Sequence, residues 1–236
     1  MRYVDGLPGE PTRFALPSNV QYIQELLIAD LNADGWQDVV ADGYNATFSV
    51  LMNEGAATSC GTWRGFSQFR TTPQTPTLYP ISIGAGDFDG DGIIDLAAAD
   101  HEVTAILRGV GDGTFTPYAQ LTTQTHAGMT IGDFDGDGRS DLAYTLYYSL
   151  RGGLEAYFSL GVGATTSTPE FSHYVHYQLF NDCNGVPYTS IASGDREENG
   201  RDQIFIGFAF ENCWSAPALR SLTWNSTFRS FEVSLG

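Results

Sequence analysis

The chain has no lysine. All eleven of its basic residues are arginine, which excludes a Schiff-base lysine and a phosphate-cradling loop that ends in one. Cysteine is scarce and odd in number. Cys60, Cys183 and Cys213 fit neither a zinc cluster nor a redox CxxC spacing. No apolar run approaches the ~18 residues needed to span a membrane, so no membrane insertion is expected. The opening "MRYVDGLPGE" lacks the apolar centre of a secretory leader. Three readings stay open on that point: a leader already removed, an excised piece, or an intracellular protein. Helical periodicity is also missing. "VQYIQELLIA" comes nearest, and it runs into an acidic loop as the strand-like segments do. Positive charge is scarce: 11 Lys+Arg stand against 28 Asp+Glu, a formal net charge of −17. Such a chain repels nucleic acid and anionic membranes at long range.

What is present is core material and repetition. The 236 residues are 42% hydrophobic and 17% charged, enough to fold around a core. Much of the acid is concentrated in one recurring string. Residues 86–97 read "GDFDGDGIIDLA", residues 132–143 read "GDFDGDGRSDLA", and residues 29–41 read "ADLNADGWQDVVA". A looser fourth copy, "SGDREENGRDQIFIG", begins at Ser193. The shortest interval, Asp87 to Asp133, marks a unit of about 45 residues. Each unit keeps one order: a short apolar strand, the acidic loop, a second strand, a turn, a third strand and an irregular fourth. Four short antiparallel strands per unit is the pattern of a propeller blade. The expected fold is all-β, a β-propeller with about four blades at 21–75, 78–123, 126–180 and 186–236. Segment 1–20, with "TRFALP", reads as the last strand of a preceding or closing blade. A larger, seven-bladed ring completed by further chain is the favoured arrangement. A self-contained ring is the alternative.

The acidic loop follows D-x-D-x-D-G-x-x-D. Side chains at positions 1, 3 and 5 converge as the chain curls, and glycine at position 6 permits the sharp turn. Position 7 offers a backbone carbonyl, and position 9 closes the cage. A cage of hard oxygen donors suits Ca²⁺. Without a cation the carboxylates repel one another. The expected ligands are Asp30, Asn32, Asp34, Trp36 and Asp38 in the first loop. In the second they are Asp87, Asp89, Asp91, Ile93 and Asp95, and in the third Asp133, Asp135, Asp137, Arg139 and Asp141. Three Ca²⁺ sites follow. The fourth loop has Asp195, Glu197 and Asn199 but Gln203 at position 9, which puts a fourth site in doubt. An EF-hand is excluded because position 12 is Ala41, Ala98 or Tyr144 rather than glutamate, and the flanks are strands.

The strings "IGDFDGDGRSDLAYT" and "AGDFDGDGIIDLAAADHEVTAILRGVGDGTF" resemble FG-GAP/VCBS repeats, the blades of integrin α-chain propellers and of many exported bacterial proteins. The resemblance extends over roughly residues 21–236. It implies a β-propeller with a Ca²⁺ loop between the first and second strands of each blade. It also implies an extracellular setting and a role in adhesion or carbohydrate binding.

On that topology the face opposite the metal loops collects Tyr44, Tyr79, His101, His126, Tyr147, Tyr148, Tyr188 and Trp214, aromatic and polar residues of the kind a glycan or protein site uses. The bland reading of each is a tyrosine or histidine that caps a blade end. Cys183 and Cys213 map to the same face and could pair, leaving Cys60 over. Asn45 and Asn225 stand in glycosylation triplets. No catalytic constellation emerges. There is no G-x-S-x-G, His173 and His176 point to opposite faces of one strand, and Glu155, Glu170 and Glu211 lack visible partners. The expected function is a calcium-stabilised, non-catalytic recognition or adhesion module for a glycan or protein ligand, oligomeric if the ring is incomplete. The alternatives are a scaffold or accessory domain of a polysaccharide-degrading enzyme, and a structural spacer in a larger exported protein.

Overall fold

The computed structural model describes residues 3–4, 7–8, 23–43, 47–56, 63–67, 70–71, 81–122, 126–146, 153–162, 169–178, 188–209, 218–225 and 230–234. Among them every regular element is a strand, and none is a helix that could cross a membrane. Two short strands, β1 (Tyr3–Val4) and β2 (Leu7–Pro8), pair with each other; "TRFALP" lies outside the described residues. Four four-stranded antiparallel sheets follow. Blade 1 holds β3 (Ile23–Ala29), β4 (Asp38–Gly43), β5 (Thr47–Leu51) and β6 (Arg70–Thr71). Blade 2 holds β7 (Ser82–Gly86), β8 (Asp95–Ala99), β9 (Val103–Gly109) and β10 (Phe115–Thr122). Blade 3 holds β11 (His126–Gly132), β12 (Asp141–Leu146), β13 (Gly153–Val162) and β14 (Pro169–Gln178). Blade 4 holds β15 (Tyr188–Gly194), β16 (Gln203–Ala209), β17 (Ala218–Asn225) and β18 (Ser230–Ser234).

In each sheet the strands lie in chain order, which is the meander of a propeller blade. The first strands pack side by side along the chain: β3 on β7, β7 on β11, and β11 on β15.

The core lies between blades, not within them. Val40, Phe48, Val50 and Met52 of blade 1 meet Ile83, Leu96, Ala98 and Leu107 of blade 2. Ala97, Ala99 and Ile106, on the other face of blade 2, meet Met129, Leu142 and Tyr144 of blade 3. Both faces of the central strands are therefore buried. That explains why "DLAAA" reads as a continuous apolar run rather than an alternating one, with all five residues buried. Close approach at these seams depends on missing side chains. A Cβ at Gly84 would stand 2.3 Å from Ile131 Cδ1, and one at Gly86 2.4 Å from Ser140 Oγ. Tyr144 of blade 3 donates its hydroxyl to Thr104 Oγ1 of blade 2 at 2.9 Å.

The acidic loops also connect neighbouring blades. The Ser140 N–H, at position 8 of the third loop, donates to the Asp87 carbonyl at 2.9 Å. The Asp202 N–H, at position 8 of the fourth, donates to the Asp133 carbonyl at 2.8 Å. One face of the arc is thus a row of linked loops.

Candidate metal centres

Each loop is wound around its first aspartate. Asp87 Oδ1 accepts the Gly90 and Asp91 N–H groups at 2.7 and 3.2 Å, and Oδ2 accepts that of Gly92 at 2.8 Å. Asp133 repeats the arrangement with Gly136, Asp137 and Gly138. Asp30 holds Asp34 and Gly35 in the same way. Gly92 and Gly138 have φ of 84° and 86°, the left-handed conformation that makes glycine necessary at position 6.

The aspartate at position 9 fastens the loop to the blade. Asp38, Asp95 and Asp141 are fully buried. Oδ2 of each accepts the position-2 N–H, from Leu31, Phe88 and Phe134, at 2.9 to 3.0 Å. Oδ1 of Asp95 accepts the Gly109 N–H from the end of β9, and Oδ1 of Asp38 that of Asn53. Position 2 itself is an apolar plug. Leu31, Phe88 and Phe134 are at most 2% exposed. This regularity is visible in the strings "DLN" and "DFD", yet attention to the acids alone passes over it.

The structure brings Asp87, Asp89 and Asp95 together, one carboxylate oxygen of each within 4.8 Å of the others, and does the same for Asp133, Asp135 and Asp141. These are positions 1, 3 and 9. Position 5 turns elsewhere. Asp91 Oδ1 caps the Ile93 N–H at 2.8 Å, and its Oδ2 takes the Arg108 guanidinium at 2.6 Å. Arg108 Nε also reaches Asp89 Oδ2 at 3.0 Å, and the guanidinium lies 5.6 Å over the Tyr118 ring. In the third loop Asp137 pairs with Arg139. In the first loop Asn32 stands at position 3, and its Nδ2 donates to Asp34 Oδ2 at 2.9 Å.

Electrostatics marks the same groups. Burial pushes the Asp95 carboxyl up to about 6 against two backbone hydrogen bonds, and Asp89 and Asp87 add repulsion. Burial also raises Asp38, Asp89 and Asp135. Asp91 goes the other way: burial opposes its charge, but the Arg108 hydrogen bond and charge outweigh that and lower it. The Tyr118 phenol is pushed up to about 12, first by burial and then by Asp89. A divalent cation among positions 1, 3 and 9 would compensate charge that burial otherwise makes costly.

The fourth loop keeps the curl without the cage. Asp195 holds Asn199 and Gly200 as its counterparts do. Gln203 Oε1 accepts the Arg196 N–H at 2.8 Å, reproducing the position-9 latch. Its Nε2 then donates to the Arg201 carbonyl at 3.0 Å, the carbonyl at position 7. Position 2 is Arg196, which is exposed.

The FG-GAP-like repeat family matches this chain twice, over residues 30–98 and 87–144. The chain is an FG-GAP repeat protein. The first match contains the first and second acidic loops, and the second match the second and third. Among solved structures, the chain is similar to a lectin of Agrocybe aegerita whose structure is described as the basis of its specific recognition of non-reducing terminal N-acetylglucosamine. The two are 16% identical with a TM-score of 0.55, over 91% of this chain and 53% of the lectin chain. The FG-GAP chain thus spans about half the length of that structure, and the likeness shows the fold, a β-propeller. No curated protein matches the sequence significantly.

The remaining expected site residues are spread over the molecule. His101 is exposed beside the turn in which Asp100 Oδ1 caps Glu102 and Val103. His126 and Tyr188 begin β11 and β15. Tyr44, Tyr79, Tyr147, Tyr148, Trp214, Asn45 and all three cysteines lie outside the described residues. Asn225 ends β17, its Nδ2 donating to Glu232 Oε1 at 2.6 Å.

An aromatic cluster on the metal-loop face was not foreseen. Past β5 the chain continues as a hairpin, with bridges Asn53↔Phe66 and Ala56↔Trp63. Trp63 packs edge-on against Phe66, ring centroids 5.3 Å apart, and its Nε1 donates to Asn53 Oδ1 at 2.7 Å. Trp36, at position 7 of the first loop, lies against Gly55, where a Cβ would stand 2.4 Å from its Nε1. Both tryptophans are 44% exposed. Asn53 joins Trp63 to the loop. Its N–H donates to Asp38 Oδ1 at 2.7 Å, its Nδ2 to the Gln37 carbonyl at 3.0 Å, and its Oδ1 also accepts the Gly55 N–H.

Proposed function

We propose that this FG-GAP repeat protein is a calcium-stabilised, non-catalytic recognition module that binds glycans outside the cell. One observation carries the reading: Trp63 is fixed through Asn53 to a buried ligand-position carboxylate of the first loop, and Trp36 stands in that loop against Gly55, both indoles half exposed. Half-exposed indoles offer a flat apolar face beside polar groups. The apolar face of a pyranose stacks on an indole, and its hydroxyls require polar neighbours. Gln37, Glu54 and Arg64 stand exposed around the pair.

Calcium has a structural role in this proposal. Bound at positions 1, 3 and 9 of the second and third loops, the ion supplies positive charge that pins the loop to two strands. Asp30, Asn32, Asp34 and Asp38 would hold it in the first loop with one amide in place of a carboxylate. The carbonyls of Trp36, Ile93 and Arg139 complete the proposed donor sets. In the fourth loop the Gln203 amide already occupies the position-7 carbonyl, so the proposal assigns it no ion. The lectin's ligand class, non-reducing terminal N-acetylglucosamine, is the first probe to try.

Calorimetric titration in calcium with saccharides bearing that terminus tests the reading. Binding should be lost in Trp63→Ala and Trp36→Ala and weakened by chelator. Absence of binding to any saccharide on a broad array, or unchanged affinity in both variants, would refute it.

A further inference from the structure

The first strand of each blade shows how neighbours grip one another. Residues two and four places before the loop's leading aspartate project toward the preceding blade. In blade 2 these are Ala85 and Ile83, which pack in the core shared with blade 1. In blade 3 they are Ile131 and Met129, in the core shared with blade 2. In blade 4 they are Ser193 and Ile191. Ser193 bonds to Thr130 Oγ1 and the Ile131 carbonyl, and Ile191 Cγ2 would stand 3.1 Å from a Cβ at Gly128. The alternate residues face the following blade and are small where a knob must enter: Gly84 and Gly86 under Ile131 and Ser140, and Gly128 under Ile191.

The two outer edges break this pattern in complementary ways. In blade 1 the knob positions are Ile28 and Leu26. They are 64% and 60% exposed, with Ile23 near them at 43%. In blade 4 the seat positions are Gly194 and Ala192. Ala192 is exposed, and nothing lies within 4 Å of a Cβ at Gly194 or at Gly207 on the adjacent strand. Leu219, paired with Gly207, is 69% exposed on that same face. One edge therefore carries knobs without a seat, and the other a seat without knobs. Among the described residues β15 and β3 share no packing comparable to that of the inner seams.

We propose that these edges dock on each other between two copies of this chain, blade 1 of one against blade 4 of the next. The contact continues the three seams within the chain, with the same positions in the same roles. Leaving Leu26, Ile28 and Leu219 in water forfeits burial that each inner seam obtains. The interface is head-to-tail, so it closes into a ring only if the rotation allows. Two copies supply about eight blades, the upper end of the propeller range.

Native mass spectrometry and light scattering of the whole chain in calcium read the assembly directly. The wild type should be a dimer. Leu26→Asp combined with Ile28→Asp should give a monomer, and so should Ala192→Arg, each still folding cooperatively in calcium with a melting temperature that, unlike the wild type's, no longer rises with protein concentration. Mixing the two variants should restore a heterodimer, since each retains one intact edge. A wild-type monomer at every concentration tested would overturn the proposal. So would a dimer that survives Ala192→Arg, because that outcome means the knob faces pair with each other.

Discussion

Asp42 offers a sharp test of the electrostatics at the first blade seam. It lies two residues beyond Val40 on β4 and shares that residue's face toward blade 2. It is fully buried, and neither carboxyl oxygen has a hydrogen-bond partner. Burial pushes its carboxyl from 3.8 up to about 6, with Glu25 adding repulsion. Glu25 is itself engaged, its Oε2 accepting the Ile83 N–H at 2.8 Å. The folded state therefore holds the Asp42 proton more tightly than the unfolded chain does. Below pH ~3.8 both states carry it, and the protonated form brings no charge penalty. Between pH ~3.8 and ~6 stability falls as pH rises. Above that range the full cost is in place, about 3 kcal/mol at 1.36 kcal/mol per pH unit.

Asp42→Asn removes the charge and keeps the shape. At pH 8 it should stabilise the protein by up to about 3 kcal/mol, a rise of roughly 6–12 °C in melting temperature for a chain of this size. At pH 4.5 the wild type has already recovered about 2 kcal/mol of that, so the gain should shrink to about 1 kcal/mol. Denaturant unfolding of both proteins at the two pH values in fixed calcium measures the difference, and the metal-loop carboxylates cancel in it. An equal effect at both pH values, or a loss of stability at pH 8, would refute the reasoning.

Removing calcium with excess chelator should lower the melting temperature, because each ion that binds only the folded form contributes about 2.7 kcal/mol at a hundredfold excess over its Kd; an unchanged melt would sink the structural role. Calcium affinity should weaken as pH falls through about 6, where Asp95 takes up its proton, and terbium luminescence titrated at pH 5 and 7.5 reads this directly. Gly84→Ala drives a methyl into Ile131 at the seam between blades 2 and 3, and overpacking there should cost about 1–3 kcal/mol in equilibrium unfolding. Gln203→Ala breaks the latch to Arg196 and the bond to Arg201, so it should destabilise by about 1–3 kcal/mol without changing the number of bound ions in native mass spectrometry.

The period of the acidic string, the strand-loop-strand order and the glycine at position 6 were all legible in the sequence. Each is a local requirement of the backbone: a left-handed turn demands glycine wherever it occurs. Those features alone determined an all-β propeller built of repeats and named the loop acids. The tertiary structure decided what each acid does, because a carboxylate's role depends on which groups approach it from distant strands. In the second and third loops it drew positions 1, 3 and 9 together and set an arginine against position 5. Arg108 comes from 17 residues beyond Asp91, at no fixed offset from the loop. It showed Gln203 reproducing a buried aspartate's latch while spending its amide on the position-7 carbonyl, a distinction that composition does not carry. It tied Trp63 to the first loop through Asn53, across a hairpin whose register no short motif reveals. The exposure of Leu26 and Ile28 is likewise a fact of the assembly. In sequence they are core-like residues of an ordinary first strand, and among the described residues no neighbouring blade packs over them.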